Sequence, residues 1–275
     1  MLKKRVIFTL LYEEGSFVLS RNFRLQKVGD IKWLLKNYDF SQLAFSIDEL
    51  VVLDVSRANR DLDRFCETIK VLTEGCFVPI SAGGGIRNVH EAKRILRSGA
   101  DKVVLNTALH TDLDSVWDIA REFGRQCIIA SVDINKGNKV WVENGTKALK
   151  TGAKEWIREV VEEFPVGELY LNSMERDGTG QGYLFDLLDL LPDKIDMPVI
   201  IAGGAGKYDH FVHGLNNADV DAVATAHLFN FIGNGLELAR IGLLSEGILL
   251  PHWDSKLAAQ LKGIYSSNKF ISEKL

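Results

Sequence analysis

A glycine-rich unit that occurs twice constrains the fold of this chain more than any other feature. The first copy, residues 79–107, reads PISAGGGIRNVHEAKRILRSGADKVVLNT. It combines an apolar run, three glycines, an amphipathic helix pattern and a second apolar run, which predicts one βαβ unit. The second copy begins at Met197, and its glycine pair stands 120 positions after that of the first copy. The chain is therefore expected to alternate strands with helices.

The long period of this repeat indicates a duplicated half-domain rather than a solenoid, whose units are much shorter. Two halves with several strand–helix units each predict one α/β domain, a (β/α)8 TIM barrel with two-fold half-barrel pseudosymmetry. No linker interrupts residues 1–246, which are expected to form the barrel, and 247–275 are expected to form a tail that is partly helical between residues 254 and 265. Strands are predicted at 5–11, 49–54, 102–105, 127–133, 168–172, 198–202 and 221–225, and in the run before the first glycines. Helices are predicted within 30–41 and at 61–73, 154–163, 185–191, 208–216 and 235–245, besides the one in the first copy.

Two connections are longer than a strand–helix turn usually is. Residues 12–29 follow the first strand and contain an alternating piece at 17–22. A long, ordered connection of this kind is typical of an active-site cover. After the fifth strand, residues 139–143 lead into the pair Asn144-Gly145, which predicts a β-hairpin.

Composition restricts the classes of function. Of 275 residues, 46% are hydrophobic and 25% are charged, which suits a soluble globular protein, and a net charge of −4 argues against nucleic acid as the main partner. Cys66, Cys76 and Cys127 form no Cys-x-x-Cys or Cys/His cluster, so no metal, disulfide or cofactor is predicted. The sparse cysteines and the lack of a signal peptide or long apolar run predict a cytoplasmic protein without a membrane segment.

The carboxyl ends of the strands carry the active site in barrels of this kind. Glycine turns after the third and seventh strands can each approach an anion, so two of them in symmetric positions indicate a ligand with a phosphate at each end. The alternative is that the glycines only permit tight turns. Asp133 ends an apolar strand and is the candidate general acid or base, unless it caps the next segment. Asp177, in a glycine-flanked turn, is expected to order its loop or hold a ligand, and His227 to donate to phosphate or to cap.

Four charged residues stand near the starts of strands, at the opposite end of the predicted barrel. They are Arg5, Glu49, Lys102 and Glu168. Two cations and two anions would converge there on the barrel axis. From the residues alone, a salt-bridged plug that stabilises the barrel is the favoured interpretation, because residues on this face of a barrel usually contribute to stability.

Five co-linear segments resemble one family, the cyclase subunit of imidazole glycerol phosphate synthase (the HisF family). They are MLKKRVI, DELVVLDV, AGGGIRNVHEAKRILRSGADKV, SMERDGTGQGY and IAGGAGKYDHF, and the similarity extends from Met1 to about Leu244. The resemblance implies a barrel of two half-barrels with a HisH-like glutaminase docked on its bottom face. Ammonia would pass a charged gate and the barrel, and would react at the top with a bisphosphorylated ribulose-type nucleotide in a lyase and cyclase reaction of histidine biosynthesis.

Position by position, the resemblance assigns roles to residues of this chain. The gate of the family is matched by all four basal charges, which favours a gate over a plug. The acid at the end of the fifth strand is matched by Asp133. The two phosphate sites are matched by Gly84, Gly85, Asn106 and Thr107, and by Asp177, Gly178 and Gly204, with His227 where the family has a serine.

The departures from the family fall on its proton relay. The second catalytic aspartate of the family, at the end of the first strand, is Leu11 here, and the lysine of the long first loop is Leu19. The acid before Arg176 is the longer Glu175. A leucine cannot transfer a proton, so half of the acid–base pair is missing.

Three hypotheses about function follow. The main one is a HisF-like subunit that channels ammonia from the glutaminase to amidate a sugar in surface-polysaccharide biosynthesis, with a sugar amidotransferase as a further partner. The alternative is the cyclase of histidine biosynthesis, with Glu13 or Glu14 replacing the missing aspartate. The third is a scaffold without catalysis that only activates its glutaminase.

Overall fold

The computed structural model describes residues 3–37, 43–226 and 235–253. Twelve strands in this part of the chain belong to one sheet. They are β1 (Arg5–Glu13), β2 (Ser16–Arg21), β3 (Arg24–Gly29), β4 (Glu49–Asp54), β5 (Ile80–Gly83), β6 (Lys102–Leu105), β7 (Ile128–Asn135), β8 (Lys139–Val142), β9 (Lys147–Gly152), β10 (Glu168–Ser173), β11 (Val199–Ala202) and β12 (Ala222–Thr225).

Eight of these strands close into a parallel barrel. The pairing follows chain order from β1 through β4, β5, β6, β7, β10, β11 and β12, and β12 pairs again with β1. Their sequences are short apolar runs such as LVVL and VIIA, as strands that are covered on both faces require. The predicted (β/α)8 TIM barrel is thus confirmed.

Helices surround the barrel on its outside. Those in the described part are α1 (Ile31–Asn37), α2 (Leu62–Gly75), α3 (Val89–Arg97), α4 (Ala108–Thr111), α5 (Leu113–Phe123), α6 (Ala153–Glu162), α7 (Tyr208–Asn216) and α8 (Gly235–Ser245). Side-chain caps fix several starts: Asp61 accepts from the N–H of Arg64, and Asn88 accepts from that of Glu91. These caps place α2 and α3 where their sequences predict them.

Three features differ from the sequence-based expectations or lie beyond them. Helices α4 and α5 have no counterpart among the predicted helices. The helix expected at 185–191 is a 3-10 helix, Phe185–Leu190, rather than an α-helix. The helix expected at 254–265 lies outside the described residues, so the division of the chain at residue 246 stays a prediction.

Alternation along the strands separates the barrel interior from the helix layer. On β4, Glu49, Val51 and Leu53 face the axis, while Val52 and Asp54 face outward. The interior side chains form a buried cluster of their own: Ile7, Val51, Val104, Ile129, Tyr170, Ile200, Ala202, Ala222 and Ala224. The axis between its two ends is therefore mainly apolar, and its buried hydroxyl groups include those of Thr9 and Tyr170, which lie 3.2 Å apart.

Two hairpins extend the sheet beyond the carboxyl ends of the barrel strands. Strand β2 pairs antiparallel with β1 and with β3, and β8 pairs antiparallel with β7 and with β9. The second of these is the hairpin predicted around Asn144-Gly145. We call β2–β3 and β8–β9 the mouth hairpins, because both rise from the end of the barrel where the active site is expected.

Candidate active site

At the bottom of the barrel, Arg5, Glu49, Lys102 and Glu168 converge on the axis. Arg5 donates from Nη1 to Glu49 Oε2 at 2.9 Å and from Nη2 to Glu168 Oε2 at 2.7 Å. Lys102 Nζ lies 3.2 Å from Glu49 Oε2 and 2.6 Å from Glu168 Oε1. Each cation thus bridges both anions, and the four side chains form a closed set of ion pairs that we call the basal ring.

The basal ring is largely shielded from solvent. The Glu49 side chain is 2% exposed and also accepts a hydrogen bond from Ser81 Oγ. Burial raises the pKa of Glu168, but the charges of Arg5 and Lys102 outweigh this and hold its pKa below the ordinary value. The Glu168 carboxyl is therefore charged at neutral pH. The assignment of the basal ring as an ammonia gate stays a prediction, which the coupling experiment in the Discussion addresses.

Asp133 lies at the opposite end, where the carboxyl ends of the strands surround a cavity. Asn172 Nδ2 donates to its Oδ1 at 2.8 Å, and Asn106 Nδ2 lies 3.3 Å from its Oδ2. Burial raises the pKa of Asp133 to about 6, although the hydrogen bond from Asn172 opposes this, and the charge of Asp177 raises it further. A carboxyl group with this pKa can take up and release a proton near neutral pH.

Leu11 lines the same cavity from β1, across the barrel from β7. Neither Glu13 nor Glu14 is among the described residues that line it, and Glu14 Oε1 instead accepts from the N–H of Asn59 at 3.3 Å. The structure thus gives no support to either glutamate as a replacement for the missing acid.

Asp54 does not supply a second acid either, although it ends a barrel strand and is among the residues that line the cavity. Its side chain faces the helix layer, where Oδ1 accepts from the N–H of Ser56 at 3.0 Å and Oδ2 lies 3.5 Å from Nε of Arg60. Burial raises the pKa of Asp54 despite these contacts. Across the mouth from Asp133, the described residues therefore offer a hydrocarbon surface rather than a carboxylate.

The first glycine turn lies beside Asn106 and Thr107 at the edge of the cavity. Gly84 and Gly85 have φ values of 108° and 62°, and a Cβ on Gly84 would overlap the carbonyl oxygen of Asp54. Asn106 Nδ2 donates to Ser131 O at 3.0 Å, which holds the amide beside Asp133. The turn has the form of an anion-binding backbone, and its use for phosphate stays a prediction.

The second glycine turn packs closely against its neighbours. A Cβ on Gly178 would overlap the carbonyl oxygen of Ser20, and one on Gly204 would overlap that of Gly182. Close packing thus accounts for both glycines, whether or not a phosphate binds there. His227, the remaining candidate of this site, lies outside the described residues.

Asp177 orders the first mouth hairpin. Its Oδ2 accepts from Ser20 Oγ at 2.5 Å and from the N–H of Phe23 at 3.0 Å. Asn22 and Phe23 form the tip of this hairpin with φ values of 51° and 63°, and such values are strained for a residue as bulky as phenylalanine. The carboxylate of Asp177 stabilises that backbone.

The two mouth hairpins meet above the cavity, an arrangement that sequence reasoning missed. Asn144 Nδ2 donates to Ser56 O at 3.0 Å, and Arg57 Nη2 donates to Phe23 O at 2.8 Å. A Cβ on Gly145 would lie 2.5 Å from Cδ1 of Phe23. The tips are too far apart in sequence for any local pattern to have predicted their contact.

Replacing Asp177 with asparagine is expected to lower the pKa of Asp133 below about 6, because a negative charge that raises it is removed. The change also weakens the hydrogen bonds that hold Ser20 and Phe23, so hydrogen exchange of β2 and β3 should accelerate. A carboxyl-carbon NMR titration measures the pKa. Asp118→Asn, on the exposed face of α5, is the matched control. An unchanged pKa of Asp133 in Asp177→Asn would show that the charge of Asp177 does not raise it.

The fold and the site define the class: a (β/α)8 barrel with an acidic residue and two glycine turns at its mouth and a ring of ion pairs at its base. The chain belongs to a known family, since residues 7–233 match the model described as "Histidine biosynthesis protein". No helix in the described residues is long and apolar enough to cross a membrane.

Two relatives refine this placement. The chain is 45% identical over 243 residues to "Putative imidazole glycerol phosphate synthase subunit hisF2" of Parasynechococcus marenigrum (strain WH8102), covering 87% of this chain and 90% of the relative. It is 36% identical over 251 residues to "Imidazole glycerol phosphate synthase subunit HisF" of Hyphomonas neptunium (strain ATCC 15444), covering 90% and 98%. Both names confirm the resemblance to the HisF family.

Proposed function

We propose that this chain is the synthase-type subunit of a glutamine amidotransferase complex, which receives ammonia at the basal ring and uses it at the mouth. The arrangement of the two ends of one barrel carries the proposal. A closed ring of charges lies at the base, and a carboxyl group with a pKa of about 6 lies in a cavity at the other end. A HisH-like glutaminase is the partner that would supply ammonia from below.

The barrel interior supports this direction of transfer. Between the two ends the axis is lined mainly by apolar side chains, and those on β11 and β12 are Ile200 and the small residues Ala202, Ala222 and Ala224. Neutral ammonia gives up little hydration free energy on entering an apolar interior, whereas an ammonium ion would give up much more. The proposed path runs along the β11–β12 side, where the side chains are smallest.

For the reaction at the mouth, the first candidate is that of imidazole glycerol phosphate synthase. The names of both relatives favour it, and so does the description of the family. The acceptor would be the bisphosphorylated ribulose-type nucleotide of histidine biosynthesis. Asp133 would exchange the protons, with no second carboxylate opposite it.

Amidation of a sugar in surface-polysaccharide biosynthesis is the second candidate, and the comparisons favour it less. One observation supports it: Leu11 and Leu53 present an apolar surface in the cavity on the side away from Asp133. Ring closure that depends on an acid pair gains nothing from this surface. A different acceptor, with a sugar amidotransferase as a further partner, would not require a carboxylate at this surface.

The decisive measurement is turnover of the purified protein with the bisphosphorylated nucleotide and an ammonium salt, followed by mass spectrometry of imidazole glycerol phosphate. We expect product from the wild type and faster turnover from Leu11→Asp, because a second carboxylate then faces Asp133. Absence of product from both proteins would refute the histidine-pathway candidate. Glutamine hydrolysis by the glutaminase, measured with and without this chain, separates a synthase from a scaffold that only activates its partner.

A further inference from the structure

The cavity at the mouth is poor in positive charge for a site that takes a phosphorylated ligand. Among the described residues that line it, Arg57 is the sole lysine, arginine or histidine. Three acidic residues, Asp54, Asp133 and Asp177, line the same cavity. An anionic ligand there meets an excess of acids over cations among the described residues, so its electrostatic attraction to them depends on Arg57.

Arg57 lines the same cavity as the first glycine turn and follows a strand next to it. It belongs to the loop between β4 and α2, and β4 is the neighbour of β5, which ends in that turn. Its side chain is exposed at the rim of the cavity, and no carboxylate of the described residues lies within ion-pair distance of it. The charge of Arg57 is therefore not neutralised by the protein in this part of the chain.

A second arginine of the same loop shows the contrast. Arg60 packs behind Gly85, with Nε 3.5 Å from Asp54 Oδ2 and Nη1 3.1 Å from Glu91 Oε2. It is neutralised by these two acids and does not line the cavity. The loop thus uses one arginine to support the glycine turn and leaves the other facing the mouth.

We propose that Arg57 is the anion-recognition residue of the mouth and binds the phosphate group of the ligand that lies against Gly84 and Gly85. This inference rests on the proposed function, in which the mouth takes a phosphorylated ligand. A guanidinium group presents several N–H donors in one plane and matches phosphate oxygens well. Nη2 donates to the carbonyl oxygen of Phe23, and among the described residues no hydrogen bond engages Nη1 or Nε, which can therefore donate to an anion.

The hydrogen bond to Phe23 links recognition to the first mouth hairpin. Phe23 receives Arg57 at its carbonyl oxygen and donates its N–H to Asp177. An anion bound by Arg57 would therefore lie next to the tip of the first mouth hairpin. A variant must keep this hydrogen bond if the effect of charge is to be measured alone.

The test uses inorganic phosphate as the probe, titrated into the full-length protein by isothermal calorimetry. Arg57→Gln keeps a side-chain N–H donor for Phe23 without the charge, and Arg57→Lys keeps the charge. Arg158→Gln, on the exposed face of α6, removes an equal charge far from the cavity and is the matched control. Arg57→Gln should bind phosphate about 10-fold more weakly, whereas Arg57→Lys and Arg158→Gln should stay within about 3-fold of the wild type.

The salt dependence gives an independent measure. Raising potassium chloride should weaken phosphate binding more steeply in the wild type than in Arg57→Gln, because screening acts on the charge that only the wild type carries. Equal affinity of wild type and Arg57→Gln would overturn the inference, and so would a wild type that binds no phosphate. Ammonia transfer from the glutaminase is measured separately, so failure of the Arg57 assignment is distinguishable from failure of the proposed function.

Discussion

Replacing Asp133 with asparagine is expected to lower the rate of the ammonia-dependent reaction about 100- to 10,000-fold, because the candidate general acid or base at the end of β7 is lost. The amide oxygen can still accept from Asn172, so the cavity keeps its shape. In the wild type, the rate should rise with pH through about 6 if Asp133 acts as a base. Turnover in Asp133→Asn that matches the wild type would remove Asp133 from the mechanism.

The same replacement is expected to stabilise the protein at neutral pH. The pKa of Asp133 is about 6 when folded, against an ordinary value of 3.8, so the folded state binds the proton more tightly than the unfolded chain does. Stability therefore falls as pH rises from about 4 to 6, and the ionised group costs up to about 3 kcal/mol at pH 7. Asp133→Asn removes this cost at pH 7 and gains nothing at pH 3.

Urea unfolding at pH 3 and pH 7 checks this prediction, with Asp118→Asn as the control for removal of an exposed carboxylate. A variant that is slower and yet more stable would show that the buried acid is retained for function. If Asp133→Asn proved equally destabilised at both pH values, packing rather than ionisation would dominate at this position.

Glu49→Gln is expected to lower the free energy of unfolding by about 2–4 kcal/mol. The glutamate is buried at the centre of the basal ring and accepts from Arg5 and from Lys102. Its neutralisation leaves two shielded cations with one anion, Glu168, between them. Asp118→Ala, which removes one partner of the exposed Asp118–Arg121 pair, should change stability by less than about 1 kcal/mol. If both variants lost the same free energy of unfolding, the basal ring would contribute no more to stability than an exposed ion pair does.

Coupling to the glutaminase decides whether the basal ring is a gate or a plug. If it is a gate, Glu49→Gln should reduce product formed from glutamine while product formed from added ammonium salt is kept. Glutamine hydrolysis should continue, so ammonia is released to solvent instead of being used. If it is a plug, the variant unfolds more easily, but below its melting temperature the ratio of product to hydrolysed glutamine equals that of the wild type.

Local sequence determined most of the barrel. The apolar runs at β4, β6 and β11 and the capping residues Asp61 and Asn88 fix strands and helices through interactions within a few residues. Helices α4 and α5 were not predicted, although Asp112 caps the start of α5 by accepting from the N–H of Ser115. The helix at 185–191 was predicted in the right place, but its six residues wind as a 3-10 helix, a difference that hydrophobic periodicity does not resolve.

The sequence by itself determined which residues stand at the two ends of the barrel, because alternation along a strand and the position of a residue in that strand fix its direction and its height. Asp133, Leu11 and the four residues of the basal ring could be placed in this way. Tertiary structure alone decided what those residues meet. The hydrogen bonds of Asp177 with Ser20 and Phe23, and the position of Arg57 beside Phe23, depend on contacts between loops that are distant in the chain. Burial and charge at such contacts set the pKa of Asp133, and neither can be read before the chain has folded.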